Sequence, residues 1–350
     1  MRSFLAIRVS AFLTFIFVAL ISHRNVSEIL SRWDARWYSR IAENGYGNVV
    51  HGSGGRILHD YAFFPLFPAL ERAVHLITRL NYPIAGLAIS ISSSLIAVVA
   101  IQRIGEEYYP NYSQNLTIIW AIVPTATVLW MSYSESLFTA CSAWALYFAL
   151  KERWLAAGVA GLLAGATRPV GVALAAALFI HAISRVRTSG SYRPFLAALL
   201  APIGIAVYLL YVDLHSHSNS LFAYLHFQAG WGNGFDFGRS LFTFAGNGSA
   251  SGFLVLTLIV AILWLTFRMV RMELPLLLKS YGVVVVLMAL TTAGYFSSKP
   301  RYLLPAFILL APVASAISTL SPKTQRVLFW ITLPLSSLAS TLFLLGSTAP

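Results

Sequence analysis

Apolar residues fall in long runs, at about 4–22, 62–80, 84–102, 115–131, 136–150, 154–166, 170–184, 194–213, 252–267, 275–293, 302–320 and 327–345. Each approaches the length of about 20 apolar helical residues that a bilayer crossing needs. The pattern predicts an all-α fold, a polytopic transmembrane helical bundle of about 11–13 spans. No repeat, low-complexity tract or soluble domain interrupts the runs, so residues 1–350 read as a single integral membrane domain. Two long loops, 23–61 and 214–251, break the rhythm, and both are rich in aromatics, Gly and His. Loops this long between closely spaced spans are usually functional. The run at 4–22 follows Arg2, is longer than a secretory signal core and lacks a small-x-small cleavage site, so it reads as a retained anchor.

Composition supports this picture. The chain is 58% hydrophobic but only 10% charged, against about 25% charged residues in a soluble domain. Its net charge of +12 fits basic loops facing anionic lipid headgroups better than it fits nucleic acid. The single cysteine, Cys141, excludes an intrachain disulfide and any cysteine metal cluster. The basic groups Lys151 and Arg153, Arg185 with Arg187 and Arg193, Arg268 with Arg271, and Lys323 with Arg326 mark cytoplasmic loops. That orientation puts 132–135, 166–169, 214–251 and 294–301 on the opposite side, and Arg2 with Arg8 puts 23–61 there as well. The parity fails once, between residues 61 and 103, where Pro65 and Pro68 interrupt a run.

The first loop holds an amphipathic helix. Trp33, Trp37 and Ile41 recur at i, i+4 and i+8, Arg32, Arg36 and Arg40 form a basic stripe beside them, and Asn44-Gly45 supplies a stop. Such a helix lies flat in a membrane interface, with Trp33 and Trp37 as its anchors. Asp34 is the acid at its centre. A carboxylate partly desolvated by two tryptophans suits general-base work, and a helix cap or a salt bridge to Arg36 or Arg40 is the plainer reading.

Four further motifs share that side of the membrane. His59 and Asp60 stand at the mouth of the proline-broken segment, where Asp60 either orients a substrate or caps the next helix. Tyr133 and Glu135 lie in a polar knot between apolar runs, where Glu135 must sit at the interface or be paired. Arg168 lies between two helices broken by Pro169 and Gly171, in backbone tolerated at depth only when it is buried or lines a cavity. An always-charged planar fork there suits a phosphate. Arg301, beside Lys299, stands at the outer mouth of a span, where a snorkelling anchor is the default. Two arginines on one face make a phosphate pocket more credible than either alone. His215, His217 and His226 lack a ligand partner at metal spacing, and the aspartates never form Asp-x-Asp, so no metal site is signalled.

In order along the chain, Trp33-Asp34-Ala35 with Ile41-Ala42-Glu43-Asn44-Gly45-Tyr46, Phe63-Phe64-Pro65-Leu66-Phe67-Pro68, Tyr133-Ser134-Glu135-Ser136-Leu137, Ala166-Thr167-Arg168-Pro169-Val170-Gly171 and Pro300-Arg301-Tyr302-Leu303-Leu304-Pro305 resemble the PIG-V-type mannosyltransferases. These are similar to GPI mannosyltransferase II and belong to the GT-C glycosyltransferases. The resemblance covers residues 30–305 as short islands, of which the first two are the more specific.

The resemblance implies a membrane enzyme that takes a sugar, mannose, from a polyprenyl-phosphate donor and passes it to a lipid, glycan or protein acceptor on the non-cytoplasmic face. It implies Asp34 as the base. Arg168 falls where the family has Arg-Ser-Asn-Gly, and here Pro169-Val170 replaces Ser-Asn. The compact length resembles a bacterial relative in a plasma membrane, with an acceptor other than a GPI precursor. No cofactor and no metal are expected, and no nucleic acid partner. On this reading transfer is inverting. Arg168 and Arg301, with Lys299, hold the lipid phosphate, while Trp231 and Phe235 of the second loop close over the sugar. His59, Asp60, Tyr133 and Glu135 complete the candidate substrate site. The rival classes are a transporter or lipid flippase, which predicts internal repeats and midplane charges, and an acyltransferase, for which His75 and His181 are the candidate histidines.

Overall fold

A computed structural model describes residues 1–52, 55–216, 222–294 and 298–346. Eighteen α-helices follow in order among these residues. The first nine are α1 (Arg2–Ile21), α2 (Val26–Leu30), α3 (Asp34–Asn44), α4 (Leu66–Thr78), α5 (Tyr82–Tyr108), α6 (Ser113–Ile122), α7 (Glu135–Leu150), α8 (Trp154–Gly165) and α9 (Gly171–Ser189). Then come α10 (Phe195–Leu200), α11 (Ile203–His215), α12 (Ala223–Gly230), α13 (Arg239–Ala245), α14 (Ala250–Arg271), α15 (Leu276–Thr291), α16 (Lys299–Tyr302), α17 (Ala311–Ser318) and α18 (Pro322–Leu345). One small antiparallel hairpin, β1 (Val49–His51) with β2 (Ile57–His59), pairs Val50 with Leu58 in the first long loop.

Six helical segments are long and apolar enough to cross a membrane: α1, α5, α9, the Phe195–His215 segment, α14 and α18. Three shorter apolar helices accompany them, Trp154–Gly165, Leu276–Thr291 and Phe307–Ser318. The chain is therefore an integral, multi-pass membrane protein. Several apolar runs become short helices because proline lacks an N–H and clashes with the preceding turn. The helix after Pro65 is only 13 residues long. At 1.5 Å per residue it reaches about 20 Å, short of a core of about 30 Å. This is the region where the basic-loop parity fails. Pro124 likewise converts the end of the 115–131 run into a 3-10 segment, Pro124–Trp130. Pro305 precedes another, Phe307–Leu310, in the last broken run.

Lipid offers no hydrophobic drive between helices, so close packing of small residues holds them together. Helix α8 buries Ala157, Gly158, Ala160, Gly161, Ala164 and Gly165. Its glycines lie against Ala197, Leu200 and Ala201 of the next hairpin and against Ile205 of α11. Helix α14, by contrast, leaves Phe253, Leu254, Trp264 and Phe267 exposed. That is the surface expected of a helix bathed in hydrocarbon.

The first long loop is built rather than loose. Asp60, fully buried, accepts hydrogen bonds from Gly47 N at 3.0 Å and from Asn48 N and Nδ2 at 3.0 and 2.8 Å. Tyr46 Oη donates to the Phe63 carbonyl at 2.8 Å, and Tyr208 Oη from α11 donates to the Tyr61 and Phe63 carbonyls at 2.9 and 2.6 Å. These bonds hold the loop against the bundle.

Gly204 at the start of α11 sits hard against α8: a Cβ there meets the Leu162 carbonyl oxygen at 2.1 Å and Ala166 N at 2.7 Å. Both are backbone atoms, so the helices must part. Gly204→Ala is expected to cost about 1–3 kcal/mol or more, read as a lowered thermal midpoint of the detergent-solubilised protein. It also shifts the turn that carries Arg168.

Candidate active site

Asp34 is the first residue of α3, next to a strained one. Trp33 has φ +54° and ψ −120°, a left-handed conformation that bulky side chains seldom adopt. Neighbouring groups hold it there. The Arg32 guanidinium lies 4.3 Å from the Trp33 ring centre, and its Nη2 donates to the Leu344 carbonyl at the end of α18 at 2.6 Å. Placing a carboxylate in the first turn is also favourable, since the unpaired amides of a helix N-terminus carry partial positive charge.

Helix α3 ends at Asn44 with Gly45 at φ +79°, at the stop expected from the sequence. Its buried face is Ala35, Tyr38, Ile41 and Ala42, one position round from the tryptophan stripe. Trp37 is half-buried on the flank. It stacks on Phe63 with ring centres 5.7 Å apart and meets Trp231 edge-on at 5.1 Å. Its ring therefore joins the two long loops through protein contacts. Arg36 and Arg40 are exposed, and the Arg36–Glu28 pair at 3.9 Å lies at the surface, where such pairs contribute little.

Arg301, on α16, reaches Asp34. Its Nη2 lies 2.7 Å from Asp34 Oδ2, and its Nε lies 3.5 Å from Glu135 Oε1. Glu135, the first residue of α7, is 2.6 Å from Arg168 Nη1 in the α8–α9 turn. Arg168 Nη1 also donates to Ser134 Oγ at 3.0 Å, and Ser134 Oγ shares a 2.7 Å hydrogen bond with Tyr38 Oη. Asp34, Arg301, Glu135, Arg168, Ser134 and Tyr38 thus form one continuous polar chain. Tyr133 and Tyr302 flank it, their ring centres 5.2 and 5.5 Å from the Arg301 guanidinium.

The electrostatics of the chain are tight. Burial alone depresses the Arg301 pKa, but the Asp34 and Glu135 carboxylates outweigh it and hold the guanidinium well above its ordinary value. Burial pushes the Tyr38 phenol up despite the nearby Arg168, so it remains a protonated hydroxyl. Glu135 Oε1 sits at ion-pair distance from both arginines without an aligned hydrogen bond, and Arg301 Nη1 is buried with no hydrogen-bond partner. A buried guanidinium nitrogen left open in this way is a ready donor for an anionic oxygen.

The other sequence candidates fall elsewhere. Lys299 Nζ donates to the Ala289 carbonyl at 3.0 Å and to the Thr292 carbonyl, which caps the end of α15. Asp60 is committed to the loop amides described above. His59 packs its ring on Phe227 at 4.6 Å, and burial lowers its pKa. Trp231 Nε1 donates to the His59 carbonyl at 3.0 Å, placing Trp231 over the first loop. His217 lies outside the described residues. Among the described residues no three His, Cys, Asp or Glu side chains gather to hold a metal ion. Sequence reasoning passed over Tyr38 and Ser134 as site residues. The signal for Tyr38 was its place four residues after Asp34, on the same face of α3.

Glu135 is 1% exposed and is the only carboxylate among the described residues that contacts both arginines. Removing one partner from a buried ion cluster leaves the others uncompensated. Glu135→Ala is expected to destabilise the protein by about 3–5 kcal/mol, measured by chemical or thermal unfolding in detergent. Glu135→Gln, which keeps the shape, should lose less.

No protein-family model matches the chain. It is similar to mouse GPI alpha-1,6-mannosyltransferase 2, at 29% identity over 157 residues, which is 41% of this chain and 29% of the mouse protein. Among solved structures it superimposes on ArnT from Cupriavidus metallidurans bound to undecaprenyl phosphate, with TM-score 0.55, 15% identity and coverage of 93% of this chain and 63% of that one. The apo form of the same protein gives TM-score 0.53 at 16% identity, over 93% of this chain and 62% of that one. The chain thus spans less than two thirds of the length of each of these proteins. It has the polytopic helical membrane fold of ArnT, the GT-C fold, and its sequence is similar to the mouse mannosyltransferase over the matched stretch.

Proposed function

We propose that the protein is a membrane glycosyltransferase that moves mannose from a polyprenyl-phosphate donor to a lipid or glycan acceptor at the non-cytoplasmic face, with Asp34 as the base. The observation that carries this reading is the 2.7 Å contact between Asp34 and Arg301. It couples a proton acceptor directly to a cation with an open, buried donor. The fold shared with a protein that binds undecaprenyl phosphate supports a lipid-phosphate donor, and the sequence likeness to a mannosyltransferase supports the sugar.

The chemistry follows from charge. In the resting protein Asp34 is held in an ion pair with Arg301. A donor phosphate entering the site competes for Arg301, offering oxygens to its open Nη1 and to Arg168 on the far side of Glu135. Asp34 is then released to accept the acceptor hydroxyl proton. The acceptor oxygen attacks the anomeric carbon from the face opposite the phosphate, the carbon–oxygen bond to phosphate breaks, and configuration inverts. The leaving polyprenyl phosphate gains one negative charge, which the two arginines stabilise in a buried setting where such contacts are strong. Trp231 and Trp37 offer apolar faces to the sugar beside the cluster.

The test supplies purified protein in lipid nanodiscs with radiolabelled polyprenyl-phosphate mannose and a bacterial envelope lipid extract as acceptor. Wild type is expected to transfer label. Asp34→Asn, matched for folding by thermal melt, is expected to lose about 10²-fold or more in rate. Full turnover by a folded Asp34→Asn protein overturns the base assignment, and failure of wild type to use this donor overturns the donor.

A further inference from the structure

The segment that delivers Tyr133, Ser134 and Glu135 to the cluster is not helical, and it lies between a 3-10 segment that ends at Trp130 and α7, which begins at Glu135. Something outside the cluster must hold it. Outside the cluster, Ser132 Oγ donates to Glu71 Oε1 of α4 at 2.7 Å, with both groups buried. Ser90 Oγ of α5 donates to the Tyr133 carbonyl at 2.8 Å and lies 3.3 Å from Tyr133 N. Gly86, one turn earlier on α5, borders the Glu71–Ser132 contact. A Cβ at that position comes within 1.9 Å of Ser132 Oγ and 2.0 Å of Glu71 Oε1. The missing side chain makes room for the bond.

Glu71 is an unusual residue for its place. It is 0% exposed, on the buried face of α4 beside Phe67 and Pro68. Among the described residues no ion pair includes it, and its second oxygen, Oε2, has no hydrogen-bond partner. A buried carboxyl with no counter-charge is destabilising where a leucine would not be. Its one strong contact leads, through Ser132, to the strand of backbone that carries Glu135.

We propose that Glu71 is a positioning residue for the catalytic cluster. Through Ser132 it sets the depth and orientation of residues 132–135. These in turn place Ser134 against Arg168 and Tyr38, and Glu135 between the two arginines. It touches no substrate and acts only through this segment. The inference rests on the reading of the Asp34–Arg301 cluster as the active site.

The test uses the full chain in nanodiscs with four variants. Glu71→Gln keeps an acceptor oxygen and the shape, Glu71→Leu keeps only the bulk, Ser132→Ala removes the donor, and the Glu71→Leu/Ser132→Ala pair removes both. Two readouts are taken: hydrogen–deuterium exchange of the peptide covering 131–138, and kcat and KM with polyprenyl-phosphate mannose. Glu71→Gln should match wild type in both. Glu71→Leu and Ser132→Ala should each speed exchange of that peptide and lower kcat about tenfold with little change in donor KM, since small displacements of catalytic groups are costly. The double variant should be no worse than the worse single. Additive losses, a Glu71→Leu protein with wild-type kcat and exchange, or a Glu71→Gln protein as damaged as Glu71→Leu each overturns the proposal. Should Glu71→Leu fail to fold, Ser132→Ala alone decides it by the same readouts. If wild type turns over no such donor yet the exchange pattern holds, positioning stands and the assigned reaction falls.

Discussion

Two guanidinium groups of the site lie among apolar helices, Arg301 buried and Arg168 half-buried, and most of the site's architecture answers that one constraint. Arg301 is 5% exposed and carries a full charge that bare hydrocarbon does not tolerate. Asp34 and Glu135 compensate it, Glu135 also compensates Arg168, and tyrosine rings cover the remaining faces. With two positive and two negative groups the chain is close to neutral, which is what allows it to be buried. Of the two acids, Asp34 is the more accessible, its side chain 19% exposed against 1% for Glu135.

The same constraint explains where helices stop. Each of the four charged groups sits at a helix end or in a break: Asp34 and Glu135 at N-termini, Arg168 in the α8–α9 turn, Arg301 in the short α16. Helix interiors satisfy their own amides and carbonyls, and their ends do not. Gathering the ends around a polar cluster sets the partial charges of the helix termini beside the fixed charges of the side chains. Pro169 and Pro300, which disrupt an ordinary helix interior, fall next to Arg168 and Arg301.

Much of this was legible in the sequence, and the residues that were not share a cause. Apolar runs gave the helices, Asn44-Gly45 gave the end of α3, and charge in a chain that avoids it singled out Asp34, Glu135, Arg168 and Arg301. All four meet in the structure. Periodicity cannot tell which neighbour a polar side chain faces. Lys299 stands two residues from Arg301 yet turns to the carbonyls at the end of α15, and Asp60 turns inward to amides of its own loop. Trp37 looked like a lipid anchor because a flat amphipathic helix was the only frame available. Its partners Phe63 and Trp231 come from segments that no local pattern pairs with it. Run length also overstated the helices wherever proline divided a run.

The strain at Trp33 fits the same logic. An aromatic residue with φ +54° is costly to keep, and the Arg32 stack with its bond to Leu344 ties that cost to the far end of the chain, at α18. What the strain achieves is geometric. It turns the backbone sharply enough to begin α3 at Asp34, so the carboxylate projects from the first turn towards Arg301 while Tyr38, one turn on, reaches Ser134 on the same face. A relaxed residue 33 would start the helix in another direction, and Asp34 and Tyr38 would leave the cluster together. The helix that looked in sequence like a membrane anchor is, in the fold, a rigid arm whose entry angle decides whether the acid and the two arginines form one site.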